Sequence, residues 1–218
     1  MESEKTYTAA VIGGTGAIGK RLIELLLKDD RCQKIVTVAR NPLPDWEGQE
    51  KLKVVQMDNM DNMAEASEEF EGCQKFYCCL GTRVKVGKEL FVKVDKTYPI
   101  EFAKICAMEE KADRYTLVSS GRASSKSWLL YFRTKGECEE ELSKMGLQGL
   151  TIMKPGLLTK RDADFRLGEK LGSYVPFIPK IDCIDVARAM IENSLESTET
   201  LEVLENKDLH NWAEKSKL

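Results

Sequence analysis

Histidine is nearly absent from this sequence: the 218 residues contain one, His210. Metal sites that need several imidazoles are therefore excluded. A Ser-His-Asp triad would have to use that single residue, for which we expect no catalytic role. The seven cysteines contain no C-x-x-C pair, so neither a zinc ribbon nor a thioredoxin-type redox pair is indicated. We expect no metal site.

Long apolar runs and an excess of one charge are also missing. No apolar stretch reaches the roughly 18 residues that a membrane span needs, and the first residues lack the basic and apolar regions of a signal peptide. Lysine and arginine number 33 against 36 aspartates and glutamates, so the chain lacks the basic surface of a nucleic-acid binder. We therefore expect a cytoplasmic protein with reduced thiols, no membrane span and no nucleic-acid partner.

What is present is an alternation of β-branched and amphipathic segments. This order is typical of a parallel sheet covered by helices on both faces, and it predicts a Rossmann-like, doubly wound α/β fold. No repeat or linker divides the chain, so residues 1–218 are expected to form one domain, in which residues 157–218 supply a flap and the C-terminal segment. We predict strands at 7–12, 34–39, 53–57, 75–79, 115–119, 149–154 and 200–204, and helices at 17–28, 90–111 (kinked at Pro99), 127–144 and 184–196.

A glycine turn follows the first predicted strand. Gly13, Gly16 and Gly19 stand in a G-x-x-G-x-x-G frame between that strand and a helix. The first glycine allows a tight turn, the second lets the backbone approach a pyrophosphate, and the third lets the helix pack closely on the strand. A glycine-rich loop without a ligand is the alternative, but the order of strand, turn and helix favours dinucleotide binding.

The dinucleotide is expected to be NADPH. An NAD site places a carboxylate at the end of the second strand, whereas this chain has Arg40 there. A guanidinium binds the 2′-phosphate of NADP and stacks on adenine, although a solvated surface arginine is the alternative interpretation. Asp58, after the third strand, is expected to meet the adenine amino group, and Leu80, Gly81 and Thr82 are expected to line the adenosine-ribose crevice.

A candidate catalytic pair lies on the helix predicted at 127–144. Tyr131 and Lys135 are four residues apart and therefore on one face, and Ser119 and Ser120 end the strand before it. A free tyrosine has a pKa near 10, and a lysine ammonium close by favours its phenolate. Tyr131 would give a proton to a carbonyl oxygen, Ser120 would hold that oxygen, and Lys135 would tune the tyrosine and bind the nicotinamide ribose.

These features resemble the short-chain dehydrogenase/reductase superfamily, whose marks here are the glycine turn, the serines, Y-x-x-x-K and the pair Pro155-Gly156 after the sixth strand. A narrower resemblance, over nearly the whole chain, is to the Tat-interacting-protein oxidoreductases, atypical members that are regarded as tumour suppressors in mammals. Five segments carry it: C-C-L-G-T from Cys78, V-D at Val94-Asp95, V-S-S-G from Val118, L-L-Y-F-R-T-K-G-E from Leu129 and L-E-N-K from Leu204.

The narrower resemblance implies an NADPH-binding protein. In that family the NADPH-bound form is connected with control of nuclear import through importin-β-type receptors, which implies such a partner and a location that extends to the nucleus or nuclear envelope. The position at which many superfamily enzymes carry a relay asparagine is expected at Pro99, which argues against efficient turnover. By position in the matched segments, the implied cofactor contacts are Thr15, Gly16, Ala17, Ile18, Arg40, Asn41, Leu80, Gly81, Tyr131, Lys135, Leu158 and Arg166.

Two functions remain open, beside a third interpretation in which the fold is intact and the site has lost its activity. The first is a reductase that moves hydride from NADPH to a small carbonyl or quinone, since too few residues follow Lys154 for a sugar-nucleotide substrate domain. The second is a regulatory, redox-sensing protein that reports NADPH occupancy to a protein partner with little or no turnover. Cys78 and Cys79 are expected as small core residues, with a redox sensor as the alternative. Trp128 is expected either to anchor packing or to line a substrate pocket.

Overall fold

The computed structural model describes residues 6–160, 179–216 and 218, and its central feature is a seven-stranded parallel sheet. Two further short strands pair in parallel outside it. In chain order the strands are β1 (Tyr7–Ile12), β2 (Cys32–Ala39), β3 (Leu52–Gln56), β4 (Lys75–Cys78), β5 (Arg114–Val118), β6 (Leu150–Lys154), β7 (Leu157–Thr159), β8 (Lys180–Asp182) and β9 (Leu201–Glu205). The large sheet has the order β3-β2-β1-β4-β5-β6-β9, so all seven predicted strands are confirmed, whereas β7 and β8 were not predicted.

The described helices cover both faces of this sheet. They are α1 (Ala17–Lys28), α2 (Lys88–Val92), α3 (Tyr98–Met108), α4 (Leu130–Ser143), α5 (Cys183–Glu196) and α6 (Asn206–Lys215). Three 3₁₀ segments, Pro44–Trp46, Met60–Phe70 and Val84–Val86, complete the connections, and the long middle one was not predicted. The predicted helices are confirmed with boundaries shifted by a few residues, and no helix of the described part is long and apolar enough to cross a membrane.

Burial along β1 shows why both faces of the sheet are covered. Ala9 and Val11 belong to the core built with α1 and α5, whereas Ala10 and Ile12 belong to the core built with α3. Successive strand residues point to opposite faces, so a strand that is apolar at every position must have a hydrophobic layer on each side. The predicted doubly wound α/β fold is therefore confirmed.

The break between α2 and α3 differs from the expected kink at Pro99. Residues Lys93–Thr97 form a π turn, in which the amide of Tyr98 donates to the carbonyl of Lys93, and Pro99 lies in the first turn of α3. Proline has no N–H to donate to the carbonyl four residues before it, which belongs to Asp95. The hydrogen-bond pattern therefore shifts ahead of the proline, and the distortion falls at Asp95.

The strand order reverses at β1, whose neighbours are β2 on one side and β4 on the other. In open α/β sheets, ligands bind at such a switch point, in the crevice at the carboxyl ends of the strands. The glycine turn after β1 and the loop after β4 line one cavity there. The expected flap begins with β7, and its residues 161–178 lie outside the described residues.

Candidate nucleotide and catalytic site

The glycine turn between β1 and α1 has no room for side chains. Gly13 has φ of +76°, and a Cβ built on it would lie 2.6 Å from the backbone carbon of Cys79. A Cβ on Gly19 would lie 2.1 Å from the carbonyl oxygen of Gly13. These contacts give the first and third glycines the roles expected of them, a tight turn and close packing of α1 on the strand.

The amino end of α1 is open to an anion. Gly16 is the N-cap and has no side chain to satisfy the first amides, and the first turn holds no acidic residue. Amides in the first turn of a helix have no partner within the helix, and the helix dipole places partial positive charge there. The backbone of Ala17, Ile18 and Gly19 therefore fits the pyrophosphate of a dinucleotide, as the sequence predicts.

A cleft of about 380 Å³ lies beside this helix end. It gathers eight of the predicted cofactor residues in one place, and it also contains residues that sequence reasoning did not single out, among them Asn59 and Tyr98. Leu158 lines a different cavity, described below, and Asn41 is exposed beside Arg40. Arg166 lies outside the described residues. The eight predicted cofactor residues that line the cleft are Gly13, Thr15, Gly16, Arg40, Asp58, Leu80, Gly81 and Thr82.

Tyr98 is fixed at the edge of this cleft by a small charged network. Its hydroxyl donates to Asp61 at 2.8 Å, and the ammonium of Lys93 donates to the same carboxylate at 2.9 Å. These hydrogen bonds, from Lys93 first and then Tyr98, lower the pKa of Asp61 to about 2. Tyr98 could have been found only by placing the first turn of α3 next to the loop after β3, which is a tertiary relationship.

Tyr131 and Lys135 lie on one face of α4, as their spacing predicts. The ammonium nitrogen of Lys135 is 5.8 Å from the centre of the Tyr131 ring, and that ring stacks on Phe91 with centroids 5.8 Å apart. Phe91 is fully buried in α2 and holds one side of the tyrosine. The phenol is therefore held next to the lysine, with the ammonium on the side of the nucleotide cleft that Gly81 lines.

Lys135 has a buried partner that the sequence interpretation missed. Its Nζ lies 2.9 Å from Oδ1 of Asp95, and Oδ2 of Asp95 accepts the amide hydrogen of Thr82 at 2.8 Å. Burial disfavours the ammonium, but the carboxylate of Asp95 outweighs it, helped by the nearby Tyr131, and the pKa of Lys135 is raised. A Cβ built on Gly81 would lie 3.6 Å from Asp95, so this pair adjoins the nucleotide cleft directly.

Pro99, the expected relay position, has a structural partner of its own. Pro99 lies in the first turn of α3, where its carbonyl accepts the hydroxyl hydrogen of Tyr115 at 2.7 Å. The side chain that reaches Lys135 from this part of the chain is Asp95, one turn earlier. The available signal was the V-D pair itself, which is one of the segments that carry the family resemblance. That Pro99 occupies the relay position, and that turnover is inefficient for this reason, stays a prediction.

The two serines after β5 have different surroundings. The hydroxyl of Ser119 donates to Glu139 on α4, and Glu139 also pairs with Lys154 at 3.2 Å. Ser120 faces a cavity that Tyr131 also lines, and its hydroxyl makes no hydrogen bond within the described residues. Ser120 is thus open to a ligand, whereas Ser119 is engaged in holding α4 and β6 together.

This second cavity, of about 420 Å³, lies between the end of β5, the start of α4 and β7. Its walls contain Phe132, Leu157 and Leu158, and its rim contains Arg122. Trp128 fits neither expectation, because it is 85% exposed and lines no described cavity. Tyr131 therefore borders a largely apolar chamber.

The cysteines are free thiols, and six of the seven are buried. Burial raises the pKa of Cys78 to about 11 and that of Cys106 to about 12, and it raises the pKa of Cys79 as well. Buried thiols with raised pKa values form little reactive thiolate. Cys78 and Cys79 therefore have the surroundings of core residues. Among the described residues, no cluster of histidine, cysteine, aspartate and glutamate could hold a metal ion.

The parallel sheet, the switch-point cleft and the glycine turn define a Rossmann-fold dinucleotide-binding protein of the short-chain reductase type. A family model described as NAD(P)H-binding matches residues 13–196, and the chain belongs to that family. Protein HTATIP2 of Rattus norvegicus is 30% identical over 210 residues, which cover 90% of this chain and 85% of the rat protein. This match confirms the resemblance to the Tat-interacting-protein oxidoreductases.

A further relative and two solved structures are also similar to the chain. Mitochondrial protein FMP52 of Meyerozyma guilliermondii is 30% identical over 208 residues, covering 89% of this chain and 88% of that protein. Vestitone reductase from alfalfa matches with a TM-score of 0.71 at 18% identity, over 92% of this chain and 76% of the reductase. The structure of MoeE5 in complex with UDP-glucose and NAD matches with a TM-score of 0.71 at 14% identity, over 91% of this chain and 75% of MoeE5. At such identities the structural likeness shows the fold alone.

Proposed function

We propose that the protein is an NADPH-dependent reductase of a small carbonyl or quinone compound. One observation carries this proposal: the Tyr131–Lys135 pair lies between the two cavities. Lys135 adjoins Gly81 in the nucleotide cleft, and Tyr131 lines the apolar chamber together with Ser120. A hydride donor in one cavity and a carbonyl acceptor in the other would meet at these side chains.

Each catalytic side chain has a distinct task in this proposal. NADPH supplies the hydride when it is bound. Tyr131 gives its phenolic proton to the carbonyl oxygen, and Ser120 donates a hydrogen bond that holds this oxygen in place. Lys135 is charged at neutral pH and favours the phenolate that forms. The carbonyl of an aldehyde or ketone gains a hydride at carbon and a proton at oxygen and becomes an alcohol, whereas a quinone gains the same hydride and proton and becomes a hydroquinone.

Preference for NADPH over NADH is supported by Arg40. This guanidinium lines the cleft at the end of β2, where an NAD site carries a carboxylate. Its charge suits a 2′-phosphate, and the neighbouring Tyr98 offers a ring at the same edge. A fluorescence titration with NADPH and NADH tests this choice. We expect micromolar NADPH binding and NADH binding weaker by about tenfold or more. Equal affinities would contradict it.

A second candidate is a regulatory protein whose NADPH occupancy is read by a partner, with an importin-β-type receptor implied by the family resemblance. The buried Asp95–Lys135 pair favours this candidate, because a carboxylate 2.9 Å away cancels much of the positive field that Lys135 exerts on Tyr131. Redox sensing through a reactive cysteine does not support the regulatory candidate, because burial raises the pKa of thiols such as Cys73, here to about 11. A screen of the NADPH-loaded protein with small aldehydes and quinones separates the candidates, because a regulator binds NADPH without oxidising it.

A further inference from the structure

The chamber next to Tyr131 has apolar walls and one uncommitted charge. Phe132, Leu157, Leu158 and Pro179 supply hydrophobic surface around its volume of about 420 Å³. Such walls suit an aromatic ring or a short hydrocarbon chain. The charged side chains that line the same chamber then decide which polar end a substrate can carry.

Two of the three charged residues that line the chamber make contacts within the protein. The ammonium of Lys154 lies 3.2 Å from Glu139 and donates to the carbonyl of Ala123 at 3.2 Å. The carboxylate of Glu205 caps α6, where it accepts a backbone amide and is stabilised by the positive end of the helix dipole. Both charges therefore already have partners within the fold.

Arg122 is different. It follows Ser120 by two residues in the loop after β5, it lines the chamber, and it is exposed. Within the described residues its guanidinium makes no hydrogen bond and no ion pair. An arginine in this position offers two parallel N–H groups to a carboxylate, at a short distance along the chain from the serine proposed to hold the carbonyl.

We infer that the substrate is an anionic carbonyl compound: an aldehyde, ketone or quinone with an apolar body and a carboxylate or similar anion that pairs with Arg122. This inference rests on the proposed reductase function and narrows its substrate class. In the reaction the substrate gains one hydride from NADPH and one proton, which gives an alcohol from an aldehyde or ketone and a hydroquinone from a quinone; NADPH is oxidised to NADP⁺, and the anionic group is unchanged.

The test uses two probes of nearly the same shape, 4-carboxybenzaldehyde and its neutral methyl ester, methyl 4-formylbenzoate. The NADPH-loaded protein is compared with Arg122→Met and with Lys126→Met, a matched control in which an exposed cation of the same loop, outside the chamber lining, is removed. We expect wild-type kcat/KM to be higher for the carboxylate by about tenfold, a preference that Arg122→Met abolishes mainly through KM. Lys126→Met should keep it, and Arg122→Lys should retain part of it.

Two results would overturn the inference and leave the reductase function intact. The first is a wild-type kcat/KM that is equal for the two probes. The second is an Arg122→Met variant whose kcat/KM falls by the same factor for both probes. If neither aldehyde is reduced, calorimetry with 4-(hydroxymethyl)benzoate and the NADP⁺-loaded protein decides the question separately. Binding that weakens about tenfold in Arg122→Met supports the anion site although the proposed function fails. The inference is overturned if 4-(hydroxymethyl)benzoate binds equally well to the wild type and to Arg122→Met, or if it does not bind.

Discussion

Asp95 and Lys135 form a buried ion pair, with 2.9 Å between Oδ1 and Nζ and exposures of 0% and 8% for the two side chains. The same carboxylate accepts the amide hydrogen of Thr82 in the loop after β4. That loop lines the nucleotide cleft, and Lys135 lies one helical turn from Tyr131. One carboxylate therefore holds the nucleotide-lining loop and the helix of the candidate catalytic pair together.

Removing Asp95 should destabilise the protein strongly. Asp95→Ala leaves the ammonium of Lys135 buried without a partner, which typically costs about 3–5 kcal/mol. Asp95→Asn keeps an acceptor for the amide of Thr82 and should cost less. The free energy of unfolding in urea measures both variants, and a loss below about 1 kcal/mol for the alanine variant would mean that the pair contributes little.

The pH dependence of this loss follows from the raised pKa of Lys135. A lysine whose pKa is raised by folding contributes stability that is fully present below its unfolded pKa of about 10.4 and is lost as the pH rises through the folded value. In Asp95→Ala the buried ammonium has no partner, so burial lowers its pKa and the variant gains stability as the pH rises toward the unfolded value. The difference between wild type and Asp95→Ala should therefore shrink as the pH rises from about 6, and the wild-type contribution itself is lost only at strongly alkaline pH. A difference between wild type and Asp95→Ala that stays constant up to about pH 10 would contradict this assignment to Lys135.

Arg40 should control the choice between the two nicotinamide cofactors. Arg40→Ser removes the charge available to a 2′-phosphate, so NADPH binding should weaken about tenfold or more while NADH binding stays nearly unchanged. Fluorescence titration measures both. Arg122→Ser is the matched control, because it removes an exposed arginine outside the nucleotide cleft. If Arg40→Ser and Arg122→Ser weaken NADPH binding equally, the weaker binding follows from the change in net charge and not from a contact of Arg40 with the cofactor.

Much of the fold and part of the site could be predicted because the signals are local. A strand that is apolar at nearly every position, as in β1, must be buried on both faces, and Gly19 is required by a contact with Gly13 in the same turn. Asp95 was missed because its role depends on a π turn and on a partner on another helix.

Other missed features are also tertiary. The 3₁₀ segment Met60–Phe70 has a largely polar sequence. Its buried residues, such as Met63 and Phe70, are covered by packing against the rest of the fold, which the local sequence pattern does not show. The pairing of β7 with β8 joins segments on either side of residues 161–178. The separate surroundings of Ser119 and Ser120 follow from Glu139 on α4, which no local pattern reveals.

The two adjacent serines should respond differently to the same substitution. Ser120→Ala removes the proposed hydrogen bond to the carbonyl oxygen, so kcat should fall by about 10²–10³ with little change in stability. Ser119→Ala removes a hydrogen bond to Glu139, so it should lower the free energy of unfolding by about 1–2 kcal/mol and affect turnover less. Steady-state kinetics and urea unfolding of both variants test the division. The reverse pattern would assign the catalytic role to Ser119.

Tyr131→Phe should separate catalysis from cofactor binding. The phenyl ring can still stack on Phe91, 5.8 Å away between centroids, so the shape of the site is kept while the proton donor is lost. Turnover with any active carbonyl should fall by at least about 10². The dissociation constant for NADPH should change by no more than about 2-fold, since the variant loses at most one hydrogen bond. Both quantities are measured on one preparation, by initial rates and by fluorescence titration. Equal losses in both would mean that Tyr131 is a cofactor contact and nothing more, and retained turnover would remove it from the proposed mechanism.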